Sequence, residues 1–273
     1  MITNMKSVIM KKVTKDSLGD RMKRYEAVSK TSLVQRMPVI LRLDGCHFHT
    51  FTKGFLKPFD DIMIKSMQDT MKYLCKNIQG CVFGYTQSDE ITLVLVDYKN
   101  LNSSQWFDNE VQKMCSVAAS MAGMAFNRYF ANNVNEDGGI GIEDTQWNAY
   151  MRAINTGAYF DCRAFNVPKE DVCNCILWRQ QDAVRNSIQS LAQSQFSQKQ
   201  LHGLSCNMLQ DKLMVEKGIN WNNLETIKKR GSACIKKYYT QNNKIYSKWV
   251  IDFDMPILTQ DRNYVEQFII FDE

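Results

Sequence analysis

Between Pro38 and Phe165 the apolar pattern switches between the short runs of buried strands and the 3.6-residue stripe of helices, and the order of the switches restricts the fold sharply. Val39-Ile40-Leu41-Arg42-Leu43 follows Pro38 and stops at Asp44-Gly45, a buried strand ended by a turn. After Lys57-Pro58, apolar residues recur at Met63, Met67, Met71, Leu74 and Ile78, with Asp60 and Asp61 placed to complement the dipole of a helix. Cys81 to Tyr85 and Ile91 to Val96 are β-rich runs around Gln87-Ser88-Asp89-Glu90, which predicts a hairpin with carboxylates at its turn. Trp106 to Phe130 reads as a second long helix, in which Ala118, Ala119, Ala122 and Ala125 permit close packing on a sheet. Ala158 to Phe165 reads as another strand. The order strand, helix, strand, strand, helix, strand is the split βαβ arrangement of ferredoxin-like domains, so the expected class is α+β with a βαββαβ core.

Asn132 to Asp144 is rich in Asn, Asp and Gly and is expected as an exposed loop. A helix is expected to open at Pro168 and to run through Trp178-Arg179-Gln180 toward Phe196, and another to end near Gly218. Ser232 to Tyr239 and Lys244 to Phe253 form an expected hairpin about Gln241-Asn242-Asn243. The expected organisation is a palm-like catalytic domain, 1–167, and a helical plus β-hairpin extension, 168–273, packing on it. No apolar run approaches the roughly 20 residues of a membrane span, and the N-terminal stretch lacks the apolar core of a signal peptide. The nine cysteines are scattered rather than spaced as a disulfide framework, which fits reduced thiols in a cytoplasm. Cys173 and Cys175 are too close for the usual zinc knuckle. A net charge of +5 favours a polyanionic partner without deciding it.

Polymerase palms and nucleotide cyclases share this layout, and phosphoryl transfer between nucleotides uses divalent metal to neutralise the triphosphate and make a hydroxyl nucleophilic. Asp44 at a strand end and Asp89 at a hairpin turn meet if their strands are neighbours, and such a pair can hold two Mg²⁺ ions. Gly45 lets the backbone approach a ligand, so its carbonyl is a further candidate metal ligand. Asp89 and Glu90 point opposite ways from one strand, which favours Asp89 as the ligand. His47 and His49 are expected to line a nucleotide pocket. Lys57 and Lys113 are candidates for the triphosphate as point charges. Lys228, Lys229, Arg230, Lys236 and Lys237 suit phosphate contacts, with a solvated strand edge guarded by Lys as the competing explanation.

At Arg42-Leu43-Asp44-Gly45, Phe48-His49, Phe51, Lys57-Pro58 and Tyr85-Thr86-Gln87-Ser88-Asp89-Glu90 the sequence resembles the tRNA-His guanylyltransferase family. Phe160-Asp161-Cys162-Arg163 and Trp178-Arg179-Gln180 extend the resemblance, which covers roughly residues 18 to 235. It implies that Asp44, Asp89 and the Gly45 carbonyl bind two Mg²⁺ ions in a polymerase-like palm, with Asp44, Asp89 and Glu90 as the catalytic acids. It implies that Asp44, Gly45, Cys46, His47, Phe48 and His49 contact nucleotide, with Lys57, Ser88 and Lys113 near base or phosphates. Arg179, Asn186, Lys228, Lys229 and Arg230 are the expected tRNA contacts. The implied reaction activates a 5′-monophosphate end of tRNA with ATP, after which the 3′-hydroxyl of GTP or another NTP attacks that end, so RNA grows in the 3′-to-5′ direction. The family resemblance also implies a homotetramer.

One segment departs from the family pattern. After Trp178-Arg179-Gln180 the eukaryotic guanylyltransferases carry His-Ile-Asn-Asn-Leu-Tyr-Asn, where this chain has Val184-Arg185-Asn186-Ser187-Ile188-Gln189-Ser190. Together with Glu216-Lys217-Gly218-Ile219-Asn220-Trp221, this resembles the guanylyltransferase-like branch, whose members repair truncated tRNA 5′ ends against the opposite strand as template. A dedicated tRNA-His guanylyltransferase is the alternative. A nucleotide cyclase shares the palm, but its Gly-Gly-Asp-Glu-Phe hairpin is absent here. A non-catalytic RNA-recognition module would stack bases on Phe83 and Tyr85.

Overall fold

The computed structural model describes residues 17–136, 143–242 and 244–271. Contacts divide the chain into two compact units, Met1–Thr31 and Ser32–Glu273. In the first, helix α1 (Leu18–Ala27) is capped by Ser17, whose hydroxyl accepts the Asp20 N–H, and it buries no residue.

In the second unit, β1 (Val39–Gly45), the short helix α2 (Phe48–Phe51) and α3 (Asp61–Asn77) are followed by the hairpin β2 (Cys81–Gln87) and β3 (Glu90–Leu95). Then come α4 (Val111–Glu136), α5 (Asp144–Thr156), β4 (Phe160–Asn166) and α6 (Lys169–Gln195). The chain continues through α7 (Gln198–Leu201), α8 (Cys206–Lys217), α9 (Thr226–Arg230), β5 (Ser232–Gln241), β6 (Lys244–Asp252) and α10 (Asn263–Glu266). The strands form one antiparallel sheet of order β4-β1-β3-β2-β5-β6. Its first four positions are the expected ferredoxin-like order, and the C-terminal hairpin extends the same sheet beside β2.

Alternation along β1 sends Val39, Leu41 and Leu43 to one face, where Met67, Met71 and Leu74 of α3 and Met114, Ala118 and Ala122 of α4 cover them. Ile40, with Phe83, Tyr85 and Val94, faces Val172 and Ile176 of α6 and Val265 of α10. Each Val, Leu, Ile, Phe or Met side chain so removed from water contributes about 1.5–3 kcal/mol. Phe83 and Tyr85 are 0% and 1% exposed, so neither offers a stacking surface, and the RNA-recognition-module alternative loses its contact residues. A third cluster, around Ile188, Leu191, Leu209 and Leu213, joins the C-terminal half of α6 to α8.

Two expectations change. The helix expected from Trp106 is a 3-10 turn, Trp106–Asn109, before α4 begins at Val111, because Phe107, Asp108 and Asn109 have positive φ and cannot continue an α-helix. The loop expected at 132–144 is helical to Glu136 and again from Asp144, with 137–142 outside the described residues. Asn243 of the expected hairpin turn also lies outside them. Among the described residues no helix is long and apolar enough to cross a membrane.

Candidate active site

Strands β1 and β3 pair so that Asp44 lies opposite Glu90, and the Gly45 N–H donates to the Asp89 carbonyl at 3.1 Å. Asp44 and Asp89 therefore meet at the rim of the sheet. β2 and β3 are joined by a two-residue turn, Ser88-Asp89, with Ser88 at φ +50°, which frees Asp89 from strict strand alternation. Asp44 shares a sheet face with Glu90. Asp89 opens instead into a cleft of about 410 Å³, lined on one side by His49 and the segment from Phe55 to Ile64, and on another by Ala183, Asn186, Ser187 and Ser190 of α6. Lys228 and Lys229 of α9 complete it.

The walls of this cleft are braced from behind. The Asp60 carboxylate caps α3 by accepting the Met63 N–H at 2.9 Å, and it also accepts the Leu56 N–H at 3.0 Å and the Tyr150 hydroxyl at 2.7 Å. Arg152 donates from Nη2 to the carbonyls of Phe51 and Lys53 at 2.9 and 2.6 Å. Tyr150 and Arg152 belong to α5, which sequence reasoning did not resolve as a helix. On the far wall, the Ser187 hydroxyl donates to the Lys228 carbonyl at 2.6 Å and accepts from Trp221 Nε1 at 3.0 Å, tying α6 to α9. Lys228 Nζ lies 2.9 Å from Asp61 and 3.1 Å from Glu225. Burial alone would lower its pKa, but these two contacts outweigh burial and raise it. Lys229 is lowered, by burial first and then by Arg230.

Burial pushes Asp89 above the ordinary carboxylate range and the Asp44 charge adds to it, opposed only by hydrogen bonds from its own backbone and from Ser88. Glu90 is also raised by burial, although Arg179 acts against that. Arg179 Nε and Nη2 donate to the two Glu90 carboxylate oxygens at 2.6 and 2.8 Å, and Nη2 donates to Asp182 at 2.9 Å. Glu90 is thereby engaged by Arg179, and Asp44 and Asp89 lie at the rim beside it. Among the described residues no three His, Cys, Asp or Glu side chains form a metal-binding group. Asp44, Asp89 and the Gly45 carbonyl offer oxygens, too few to enclose an ion. That set suits a hard cation that keeps water and substrate oxygens in its shell, and not zinc.

A family model described as tRNAHis guanylyltransferase matches residues 19–168. The chain belongs to this family. It is a nucleotidyltransferase acting on tRNA. A solved bacterial tRNA(His) guanylyltransferase-like protein in complex with ATP is 43% identical, with TM-score 0.81, covering 94% of this chain and 100% of that one. The structure of such a protein in complex with GTP gives 42% identity and TM-score 0.76 over 94% of this chain and 100% of that chain. The tRNA(His) guanylyltransferase of Saccharomyces cerevisiae is 26% identical over 73% of this chain and 82% of its own length. An uncharacterized protein of Acanthamoeba polyphaga mimivirus is 27% identical over 95% of this chain and 90% of its own length.

The structure brings Phe48, His49, Lys57, Ser88, Asp89, Asn186, Lys228 and Lys229 together around the cleft. Asp44, Gly45 and Cys46 lie at the adjoining rim, where the Cys46 N–H donates to the Tyr159 carbonyl at 2.9 Å. His47, in a left-handed conformation at φ 56°, begins α2, and its ring packs 6.3 Å from those of His49 and Tyr159 rather than lining the cleft. Other expected residues lie outside the cleft. Lys113 lies in the first turn of α4 over the Phe107 ring at 4.7 Å. It is some thirteen residues, or roughly 20 Å of helix, before Phe126, which packs on Phe48 at the rim end. Arg179 is buried in its ion pair and presents no free donor fork to a phosphate. Arg230 donates from Nε to the Met255 carbonyl at 3.0 Å, a structural contact outside the cleft. Gly45 is required by packing: a Cβ there would lie 2.2 Å from the Phe48 ring. Lys236 and Lys237 lie on β5 opposite Trp249 and Lys248 of β6, away from the cleft.

Proposed function

We propose that the protein is a template-dependent 3′-to-5′ nucleotidyltransferase that repairs tRNA 5′ ends, using ATP for activation and any complementary NTP for addition. The observation that carries this reading is the composition of the α6 wall. The segment that replaces the His-Ile-Asn-Asn-Leu-Tyr-Asn signature lines the cleft with Asn186, Ser187 and Ser190, next to Ala183. Small side chains with amide and hydroxyl groups hold a nucleotide without demanding one base, which leaves choice of base to pairing with the opposite strand. The ATP and GTP complexes of bacterial relatives at more than 40% identity support nucleotides as occupants of this site.

Asp44, Asp89 and the Gly45 carbonyl would hold two Mg²⁺ ions at the rim. Such ions supply charge neutralisation at the triphosphate and an acidified hydroxyl. The protein's own residues then have separable tasks. Lys57 faces the cleft and attracts the triphosphate, Lys229 is left for the tRNA backbone, and Asp60, Tyr150 and Arg152 hold the wall against which the nucleotide lies. Glu90 orients Arg179 and with it α6, so that it acts as a positioning residue. Near-attack geometry requires the incoming nucleotide to be paired, because only then is its 3′-hydroxyl held beside the activated 5′ phosphorus.

The test is a labelled tRNA lacking its first nucleotide, incubated with ATP, the four NTPs and Mg²⁺. Restoration with the complementary residue, and a switch of preferred NTP when the opposing base is switched, is the expected result. Addition of G whatever the opposing base, or only to tRNA with the His anticodon, would mark a dedicated guanylyltransferase.

A further inference from the structure

Strands β2 and β5 are neighbours in the sheet but do not end together. They pair only where Thr86 to Phe83 lie opposite Ser232 to Ile235, and β5 then runs on, paired with β6 alone, to Gln241. The step leaves a notch at the end of the sheet opposite the rim, since the β2–β3 register sets Gln87 against Glu90 at one end and Cys81 against Leu95 at the other. At the rise of an extended strand, the run from Cys81 to Gln87 separates the notch from Asp89 by about 20 Å. A cavity of about 720 Å³ lies there, between the strand ends at Gly80 and Val96, the hairpin residues Lys236, Lys237 and Trp249, and Phe271 near the C-terminus. Its walls are held in place. The Tyr98 hydroxyl donates to the Ile269 carbonyl at 3.1 Å, and the Tyr98 ring packs 5.9 Å from that of Phe271. Gln79 Nε2 donates to the Ser104 carbonyl and hydroxyl at 3.0 and 2.9 Å, which ties the loop after β3 to the start of β2.

The lining has a definite chemistry. Lys99, Lys236 and Lys237 belong to it and no carboxylate does. Among the described residues, none of these three ammonium groups has a carboxylate partner. Three such charges around one cavity favour an anion, and mobile ammonium groups suit a phosphate. Aromatic rings stand beside the charges. Lys236 and Tyr238 point to the same face of β5, and Lys236 lies opposite Trp249 across the hairpin. The Lys236 ammonium is 5.3 Å from the Trp249 ring centroid, and that of Lys99 is 5.8 Å from the Phe271 centroid. Tyr238 is 61% exposed, an open ring on which a planar base can stack. Asn100, Ser103 and Gln267 add amide and hydroxyl groups for a base edge. Without a carboxylate the lining has no means of holding the metal that nucleotidyl transfer uses, so the cavity suits binding and not reaction.

We infer that this cavity is a second nucleotide site, remote from the reacting centre, with phosphate on Lys99, Lys236 and Lys237 and the base against Tyr238. A free NTP and an unpaired nucleotide of the RNA carry the same phosphate and base, and either fills the site through the same contacts. Template-directed repair and dedicated guanylylation leave it equally in place.

The test uses the full-length protein in Mg²⁺ with two probes. Equilibrium dialysis counts ATP bound per chain, and fluorescence polarisation follows hexa-adenylate RNA with a 5′-hydroxyl and a 3′-fluorescein. The variants are the triple Lys99→Gln, Lys236→Gln, Lys237→Gln, and Tyr238→Ala with Tyr238→Phe as its conservative partner. Nucleotide addition at saturating ATP, NTP and tRNA is measured alongside, and its kcat is expected to stay at the wild-type value in all of them. The triple variant is expected to lose affinity for one probe by on the order of tenfold or more. Tyr238→Ala is expected to weaken the same probe, and Tyr238→Phe to restore it. Two ATP per wild-type chain and one per triple variant, with RNA affinity unchanged, would identify a free NTP as the occupant. A loss confined to hexa-adenylate, with the slope of log affinity against log salt lowered by about two for three lost lysine contacts, would identify the RNA. Unchanged binding of both probes in the triple variant would overturn the inference. So would a loss in the triple variant that Tyr238→Ala does not share, which would mark charge attraction without a nucleotide site, and so would a fall in kcat, which would join the cavity to the reacting centre.

Discussion

Arg179 of α6 reaches the β3 carboxylate of Glu90 with two parallel hydrogen bonds, of 2.6 and 2.8 Å, in a setting where the side chains are 9% and 8% exposed. Breaking a buried pair from one side strands the other charge, which costs about 3–5 kcal/mol. Arg179→Met is therefore expected to lower stability by that amount in urea unfolding. Glu90→Gln keeps an acceptor and is expected to cost less. Activity in both variants should fall through misplacement of α6, with kcat reduced more than ATP affinity.

Gly45 and Phe48 make a second test. An added Cβ at Gly45 would lie 2.2 Å from a ring that itself packs on Phe51, Phe126 and Phe160. Overpacking of this kind costs about 1–3 kcal/mol. Gly45→Ala is expected to lose at least that in chemical unfolding and to displace the rim. Gly45→Ala combined with Phe48→Leu should recover stability in part, since the clash is with the ring.

The raised pKa of Asp89 gives a pH dependence with a defined sign. Burial and Asp44 hold the folded-state value above the unfolded one, so the folded protein binds this proton more tightly. The associated stability is fully present below the ordinary carboxylate pKa of about 3.9 and is lost as pH rises through the folded value. In EDTA at neutral pH, Asp89→Asn is accordingly expected to melt at a higher temperature than wild type, with the gap closing as the pH falls into the carboxylate range. A variant that melts lower than wild type at neutral pH would contradict this account.

Much of the core was legible in the sequence, because strand and helix periods over residues 38–165 are clean and the ferredoxin-like strand order follows from them. The pairing of Asp44 and Asp89 followed from that order. Other features were not legible for specific physical reasons. The break at Phe107 to Asn109 is a run of left-handed backbone without glycine, so composition carries no mark of it. Helix α5 exposes a mixed face and buries only Ala149, Tyr150 and Ala153, too few to stand out as a stripe. Arg179 is expected at the tRNA only through the family resemblance, and only the three-dimensional fold shows its Nε and Nη2 engaged by Glu90. Lys113 is a residue whose position along a helix, not its type, decides what it can reach.

The two lysines of α9 should behave differently. Lys228 is already held by Asp61 and Glu225, whereas Lys229 donates only to the Asn222 carbonyl, at 2.7 Å, among its hydrogen bonds. Lys229→Gln is expected to reduce the slope of log affinity for tRNA against log salt by roughly one phosphate contact, about 0.7–0.9. Lys228→Gln should change that slope less. Equal slopes for both variants and wild type would place the RNA backbone away from α9.

On the proposed function, the carboxylates of Asp44 and Asp89 at the strand rim hold the metal for nucleotidyl transfer to a tRNA 5′ end. Single-turnover addition to a 5′-triphosphorylated tRNA lacking its first nucleotide, titrated with Mg²⁺, tests it most directly, because no activation step intervenes. Wild type is expected to add the complementary nucleotide with saturable Mg²⁺ dependence, and Asp44→Asn and Asp89→Asn, each folded by circular dichroism, to lose addition by at least about a hundredfold. Near-wild-type addition by either folded variant, or addition independent of Mg²⁺, would contradict the account.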